Sequence, residues 1–409
     1  MSLETKTTKI KDLGKVITGG TPPTKQRQYY GNKVPLIKPT DMVLGQRYIG
    51  NTDESLSDIG VAKFKNKLVP ANTPCIVTIG TIGKSCLTKE ISLVNQAVNC
   101  VVVDTEKFDI MYVYYLLQLV IPTVKSLNSG TASGRENVSK SVFENIDVKV
   151  VVDKSKQAAL GRQLSYYDSL IENNNRRIAI LEEIAQSYYS EWFVNFDSNS
   201  QSEERKLVDS PMGKIPDGWE VKSAQDAITI NPKTKLNKTT ENPFVGMSGL
   251  AENSMVIDDI IQKKGNSGAK FINGDTLFAR ITPCLQNGKT GYVQFLTEEQ
   301  PVGFGSTEFI VLRESEDLSS EFIYLLSRSN NFREHAIQSM TGATGRQRVH
   351  NDCFASFYIA VPPRELMDEF TSLVSPMFKS IFNLSKRNEN LKKQRDMLLP
   401  KLILGEIEL

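Results

Sequence analysis

The stretch SGRENV at residues 133–138 recurs in altered form as TGRQRV at residues 344–349. Each stretch precedes an apolar strand pattern and then a long charged helix pattern, which ends at WFVNFD (192–197) in the first copy and at LPKLILGE (399–406) in the second. At one constant offset of 211 (349 − 138), the aligned pairs are Ser133 and Thr344, Arg135 and Arg346, Val138 and Val349, and Phe143 and Phe354. A shared offset over such a span predicts two structural units of one kind, and two such units suit a two-part target.

The composition is that of a globular protein with more than one domain. At 409 residues the chain exceeds the size at which one core keeps growing, and 40% of its residues are hydrophobic, 23% are charged and the net charge is +2. No apolar run approaches the roughly 20 residues that a membrane-spanning helix needs, and the N-terminus lacks the apolar core of a signal peptide. A cytoplasmic location and no membrane partner are therefore expected.

The cysteines and histidines argue against metal binding and against histidine-based catalysis. Five cysteines are widely spaced with no C-x-x-C pair, and the two histidines, His335 and His350, have no recognisable motif around them. A zinc site needs closer ligand spacing, so buried reduced thiols are the expected state. We predict no catalytic residue and no metal ligand in this chain.

Each copy is predicted to be a mixed α/β (α+β) domain followed by one long helix. Short runs rich in Val and Ile, such as 75–79, 99–103 and 308–313, are typical of buried strands. The longer runs 111–120 and 320–327 indicate helices, the first closing at Pro122. The predicted boundaries are a first domain at 1–152, a helical spacer at 153–197, a polar linker at 198–210, a second domain at 211–363 and a C-terminal helical spacer at 364–409.

Both spacers carry a heptad seam. Seam positions run from Leu160 to Trp192 and from Phe370 to Leu402, with spacings that alternate between four and three residues; the second seam includes Arg395. A seam of this kind needs a partner helix, and two lone seams in one chain most simply pack against each other. We therefore predict an antiparallel coiled coil, with a helix of about 58 Å over 156–194 and intramolecular pseudo-two-fold symmetry.

One asparagine interrupts each seam, Asn174 in the first and Asn388 in the second. A buried asparagine costs stability but fixes the register, because it is satisfied only opposite a polar partner. We predict that the two asparagines lie near one another. The alternative is that each one faces water at a local bend.

Two polar turns are candidate binding hairpins. The turn IGTIGKS (79–85) resembles a phosphate loop, but Thr78 stands where that motif needs glycine, and a strand pattern follows where it needs a helix. A hairpin that presents Thr78, Thr81 and Lys84 fits better. The turn at 279–290 in the second copy has the same strand–turn–strand form. Such hydroxyls, amides and cations hydrogen-bond phosphates and base edges, although the same residues also serve as turn chemistry.

The repeated [ST]-G-R loop is a further candidate. Gly134 and Gly345 permit tight turns, and Arg135 and Arg346 can reach a phosphate or form a bidentate pair with guanine. The alternative is that each arginine pairs with an acidic residue and locks its loop. Duplication would preserve either role.

Taken together, these motifs make the chain resemble the specificity subunit of type I restriction-modification systems, over essentially its whole length. The resemblance is carried by IPDGWE (215–220), FARITPC (278–284), NGK (287–289), GSTEFI (305–310) and the two helix ends at 192–197 and 399–406. One departure is Ile79, where the family's hairpin usually has arginine before GTIGK. An arginine contact at this position of the first half-site is therefore in doubt.

The resemblance implies a non-catalytic DNA-recognition subunit. Two target recognition domains would each read one half of a bipartite, asymmetric site in double-stranded DNA, and the helices would set the half-site spacing. The implied partners are methyltransferase (modification) subunits and restriction/translocase subunits. No cofactor is expected on this chain, since S-adenosylmethionine, ATP and Mg²⁺ would bind the partner subunits.

The candidate DNA contacts lie in both copies. They are Lys38, Thr40, Thr78, Thr81, Lys84, Asn95, Gln96, Ser133 and Arg135 in the first, and Met247, Ser248, Arg280, Thr282, Asn287, Lys289, Ser306, Thr307, Thr344, Arg346 and Arg348 in the second. Two other function classes compete with DNA recognition: a coiled-coil adaptor whose mixed domains bind proteins, and an ATP-dependent enzyme that uses the turn from Gly80 to Ser85.

Overall fold

A computed structural model describes residues 3–127, 137–196, 206–343 and 345–407. The chain divides into two units, of which the first contains residues 1–173 and 388–409 and the second contains residues 174–387. Each unit therefore holds one globular domain together with one segment from each of the two long helices.

In its described residues the first globular domain contains ten strands and three shorter helices, and the first long helix follows it. The strands are β1 (Thr5–Lys9), β2 (Gly14–Thr18), β3 (Tyr30–Ile37), β4 (Glu54–Leu56), β5 (Leu68–Val69), β6 (Pro74–Val77), β7 (Ser85–Leu87), β8 (Ser92–Val94), β9 (Val98–Val103) and β10 (Asp147–Val151). The helices are α1 (Asp58–Phe64), α2 (Ile110–Ser126), α3 (Lys140–Glu144) and the long α4 (Lys154–Phe193).

In its described residues the second domain contains twelve strands and, like the first, three shorter helices. Its strands are β11 (Leu207–Ser210), β12 (Gly213–Pro216), β13 (Glu220–Ser223), β14 (Thr229–Ile230), β15 (Glu241–Val245), β16 (Ile260–Lys264), β17 (Lys270–Phe271), β18 (Thr276–Ala279), β19 (Thr290–Tyr292), β20 (Gly303–Gly305), β21 (Phe309–Arg313) and β22 (Tyr358–Val361). Its helices are α5 (Ala224–Ala227), α6 (Ser320–Arg328) and α7 (Asn330–Gln338), and the long α8 (Arg364–Ile403) follows.

The strand orders repeat between the two domains. The first has sheets β2-β9-β6-β7 and β4-β3-β8-β5 with the pair β1-β10; the second has β14-β21-β18-β19 and β16-β15-β20-β17 with the pair β13-β22. Each domain has a parallel strand pair, β3 with β8 in the first and β15 with β20 in the second. These two pairs occupy equivalent places in the strand orders. The predicted mixed α/β fold with two units of one kind is therefore confirmed.

One helix packs on the equivalent sheet in each domain. Helix α2 lies against β6 and β7, and α6 lies against β18, β19 and β21. Both helices begin at a side-chain cap, because Asp109 accepts from the Tyr112 amide and Ser319 accepts from the Phe322 amide. Helix α2 continues through Pro122 to Ser126, although a stop at the proline was predicted. Burial of Val120 and Val124 on either side stabilises this end despite the missing backbone donor.

The two long helices pack against each other within each unit. In the first unit the beginning of α4, at Leu160 and Leu164, shares a core with the end of α8, at Leu399 and Leu402. In the second unit the end of α4 packs on the beginning of α8, where the Phe193 ring centroid lies 4.7 Å from that of Phe370. In both units the helix segments are thus antiparallel, as the paired seams predict.

The seam asparagines and the predicted linker have different outcomes. Asn174 and Asn388 are both buried, so neither faces water at an exposed bend; that they lie near one another stays a prediction. Residues 207–210 were predicted to be linker but form β11, because they pair antiparallel with β12 and Val208 packs on the second core. Residues 197–205 lie outside the described residues. Across the described helices, none is long and apolar enough to cross a membrane.

Candidate nucleic-acid interface

In the first domain, hydrogen bonds join three loops into one cluster. The Lys84 ammonium, in the turn between β6 and β7, donates to the Pro39 carbonyl in the loop that follows β3, at 2.8 Å. The Asn95 amide, in the turn between β8 and β9, donates to the Ile37 carbonyl at 2.9 Å. Three segments that the sequence offers as candidate contacts therefore form one hydrogen-bonded cluster.

Thr78 belongs to the support of this cluster and not to its surface. It is 1% exposed, its hydroxyl accepts from the Asn99 side-chain amide at 2.8 Å, and its backbone amide donates to the Ala97 carbonyl. The prediction that the hairpin presents Thr78 is therefore wrong, because the side chain points into the sheet. The residues that follow the GKS tripeptide form β7, so the turn lacks the helix that a phosphate loop requires.

The other first-domain candidates differ in exposure and in which of their polar groups are already paired. Lys38 is half-buried and lies 3.4 Å from the Glu54 carboxylate, so much of its charge is neutralised. The Asn95 side chain accepts from the Ala97 amide and shapes its own turn. Thr40, Thr81 and Gln96 are exposed. The Gln96 side-chain oxygen accepts from the Thr21 hydroxyl at 2.5 Å.

The second domain repeats the lysine link. The Lys289 ammonium, at the end of the turn between β18 and β19, donates to the Met247 carbonyl in the loop after β15, at 3.0 Å. Strands β6 and β18 are equivalent, and so are β3 and β15. The two G-K pairs noted in the sequence thus make the same contact in both domains. In each, the lysine holds a turn and a loop together through its ammonium group.

Arg280 and Thr282 hold the loop that contains the second [ST]-G-R motif. The Thr282 amide donates to the Gln347 carbonyl, and the Gln347 amide donates to the Thr282 hydroxyl, both at 3.0 Å. The Arg280 guanidinium donates to the Val349 carbonyl at 2.7 Å. Thr282 is buried and Arg280 is half-buried. Both residues, predicted as contacts, therefore act first as supports for the loop at 345–349.

Arg346 and Arg348 on this loop differ in their surroundings. Arg348 forms a bidentate pair with Glu308, with its NH2 nitrogen 2.6 Å from the carboxylate, and this hydrogen bonding lowers the pKa of Glu308. Arg346 is exposed, and its side chain makes no hydrogen bond or ion pair with the residues that the structure describes. The loop-locking alternative was stated for Arg346, whose side chain has no acidic partner among the described residues. The acid-paired arginine of this loop is Arg348, which leaves the Arg346 guanidinium available to a ligand.

The remaining second-domain candidates lie around the same loops. Asn287 donates to Glu252 at 3.1 Å, Ser248 donates to Asp259 at 2.8 Å, and the Ser306 hydroxyl accepts from the Glu308 amide. Met247 is half-buried against the apolar core, and Thr307 is exposed. Ser133, Arg135 and Thr344 lie outside the described residues. Over the described part of the chain, no group of three or more His, Cys, Asp or Glu residues is arranged to hold a metal ion.

The sequence did not indicate which residues attach these loops to α4. In the first domain Arg47 binds the α4 face formed by Ser165, Ser169 and Glu172. In the second domain Glu182 of α4 accepts from the Ser254 hydroxyl and the Met255 amide, and burial raises the pKa of Glu182. The one available signal was the spacing 165, 169 and 172, which places three polar residues on one helix face.

The family model for the type I restriction modification DNA specificity domain matches this chain twice, over residues 3–183 and 216–393. The chain belongs to this family. Each match covers one globular domain together with most of the long helix that follows it. The two copies recognised in the sequence are thus two specificity domains.

Relatives and a solved structure agree with this membership. The chain is 27% identical to the type I restriction enzyme MjaIX specificity subunit of Methanocaldococcus jannaschii over 415 residues, covering 98% of this chain and 92% of the relative. It is 33% identical over 156 residues to the EcoEI specificity subunit of Escherichia coli, covering 37% of this chain and 26% of that relative. A crystal structure of a type I restriction-modification S subunit from M. genitalium matches with a TM-score of 0.57 at 15% identity, covering 98% of this chain and 96% of that one, which shows a shared fold.

Proposed function

We propose that this chain is the DNA-recognition subunit of a type I restriction-modification enzyme, and that each globular domain reads one half of a bipartite, asymmetric site. The observation that carries the proposal is the repeated cluster of turns, in which Lys84 and Lys289 make the same link while the side chains around them differ. A shared scaffold with different outward side chains is what reading two different half-sites requires.

The division of labour follows from the same arrangement. Two domains on one chain can each bind a few base pairs, and their binding energies combine when both half-sites are present at the right separation. The paired helices α4 and α8 would set that separation and dock methyltransferase subunits, with restriction/translocase subunits joining the assembly. The chemistry, and with it S-adenosylmethionine, ATP and Mg²⁺, would lie on those partners. A cytoplasmic location, where the DNA is, completes the proposal. Neither the family match nor the relatives support the adaptor alternative.

Sequencing of methylated adenines tests the proposal directly. The chain is expressed with its host's methyltransferase subunits, and the DNA of that host is compared with DNA from a strain that lacks this chain alone. A bipartite methylated motif that depends on this chain is the expected result. A continuous motif, or methylation that is unchanged when the chain is removed, would contradict it.

The contrast between Arg346 and Arg348 gives a residue-level prediction. Arg346→Ala is expected to weaken binding of the assembled complex to its site by about 1–3 kcal/mol, the range for one bidentate base contact. Arg348→Ala removes a partly exposed ion pair with Glu308, so it is expected to change stability little and to weaken DNA binding less than Arg346→Ala does. Fluorescence anisotropy with the cognate duplex at fixed salt measures the DNA binding of both variants, and chemical denaturation measures their stability. Equal binding by Arg346→Ala and the wild type would remove Arg346 from the interface.

A further inference from the structure

The Arg47 side chain is buried and makes several hydrogen bonds to α4. It is 8% exposed, and its Nε and NH2 groups donate to the two oxygens of Glu172 at 3.1 and 2.8 Å. Its NH1 group donates to the carbonyl and the hydroxyl of Ser165, and NH2 also donates to the Ser169 hydroxyl at 3.0 Å. All five N–H donors of the guanidinium are therefore used on one face of α4.

The backbone of Arg47 is equally fixed on the opposite side. Its carbonyl accepts from the Leu87 amide in β7 at 2.7 Å, and the Ile49 amide donates to the Leu87 carbonyl at 3.0 Å. Strand β7 leads back to the turn at 78–84, where Lys84 closes the cluster on Pro39. Arg47 thus connects α4, through its side chain, to strand β7, through its backbone. We call the turn at 78–84, which leads into β7, the reading turn.

The same two turns of α4 are fixed to α8. Asp168 forms an ion pair with Arg395 of α8 at 2.5 Å, and the Tyr115 hydroxyl donates to the other Asp168 oxygen at 2.6 Å. Helix α4 therefore has a defined position where Arg47 binds it. A bidentate Arg–carboxylate pair with a buried guanidinium restricts both distance and orientation, which a lysine at the same place would not do.

The geometry points to Arg47 as a positioning residue: it fixes where the reading turn of the first domain lies along α4, and so decides which half-site separation the complex accepts. The inference rests on the proposed function. Arg47 itself contacts no DNA in this role, because its donors are all occupied by α4. Loss of the link would let the domain rock or slide on the helix without changing the turn that reads the bases.

The experiment uses the assembled methyltransferase complex and a set of duplexes that carry both half-sites at the native separation and at separations one base pair shorter and longer. Arg47→Met and Glu172→Gln weaken the link from opposite sides. Arg162→Met is the matched control, since the Arg162 side chain is exposed on α4 and makes no hydrogen bond or ion pair with the described residues. We expect both link variants to lose about tenfold of the wild-type discrimination against the altered separations, a change of about 1.4 kcal/mol. Base preference within each half-site should be unchanged.

Several outcomes overturn the inference and are distinct from failure of the proposed function. Unchanged discrimination by folded link variants would overturn it, and so would altered base preference at unchanged separation, because Arg47 would then act on reading. Should Arg47→Met fail to fold, Glu172→Gln alone decides, since it keeps one acceptor and the helix intact. If the wild-type complex recognises no bipartite site at all, the proposed function fails before Arg47 is tested.

Discussion

Arg395→Ala is expected to destabilise the first unit by about 3–5 kcal/mol, because it would leave the Asp168 carboxylate buried without its counter-charge. The side chain of Asp168 is 5% exposed and that of Arg395 is 12% exposed, so water cannot replace the lost partner. The Tyr115 hydroxyl would still donate to Asp168, but a single neutral hydrogen bond does not offset the desolvation of a carboxylate.

The double variant Arg395→Met with Asp168→Asn separates the pair from its surroundings. It removes both charges while asparagine can still accept from Tyr115, so most of the lost stability should return. Lys393→Ala, one exposed position on the same turn of α8, is the control and should cost no more than about 0.5 kcal/mol. Chemical denaturation followed by circular dichroism gives the free energies. Amide exchange of residues 160–172 should increase in Arg395→Ala and not in the control. A loss below about 1 kcal/mol would show that this pair is hydrated.

Arg395 shows which structural features could be predicted from the sequence and which could not. Its heptad spacing placed it correctly on the seam, because periodicity alone determines which face of a helix is buried. Its partner is 227 residues away, and no local pattern identifies Asp168. The same holds for the two-copy architecture. The constant offset and the seams predicted two mixed domains with antiparallel helices, whereas the order of short strands such as β4 and β8 depends on tertiary pairing.

For the candidate site, the sequence predicted which loops are involved but not what their side chains contact. Residue type and turn position selected Lys84, Lys289, Arg280, Thr282 and Arg348, and each lies in the hydrogen-bonded loop clusters. What the side chains face could not be predicted, because a lysine that reaches a carbonyl and a lysine that reaches a phosphate have the same local sequence. Loops are determined by the contacts at their base, and in this chain those contacts come from distant residues such as Glu308 and Arg47.

Phe193→Ala is expected to destabilise the second unit by about 3–5 kcal/mol, the usual range for removal of a buried phenylalanine side chain. The Phe193 ring lies at the end of α4, with its centroid 4.9 Å from Phe322 of α6, 4.7 Å from Phe370 of α8 and 6.0 Å from Trp219. It therefore joins both long helices to the second domain. Few neighbours could move to fill the space, because most belong to different elements, each fixed by its own hydrogen bonds.

The two tryptophans of the chain make this prediction easy to follow. Trp192 and Trp219 both lie near Phe193 in the second unit, so their fluorescence reports unfolding of this aromatic cluster and not of the first unit. Val194→Ala, at the next and 47% exposed position, is the matched control and should change the free energy of unfolding by no more than about 0.5 kcal/mol. If both variants lost stability equally, the loss in Phe193→Ala could not be assigned to the packing of its ring. Other contacts between α4 and the second domain, such as the hydrogen bonds that Glu182 accepts from Ser254 and Met255, would then have to hold the helix in place.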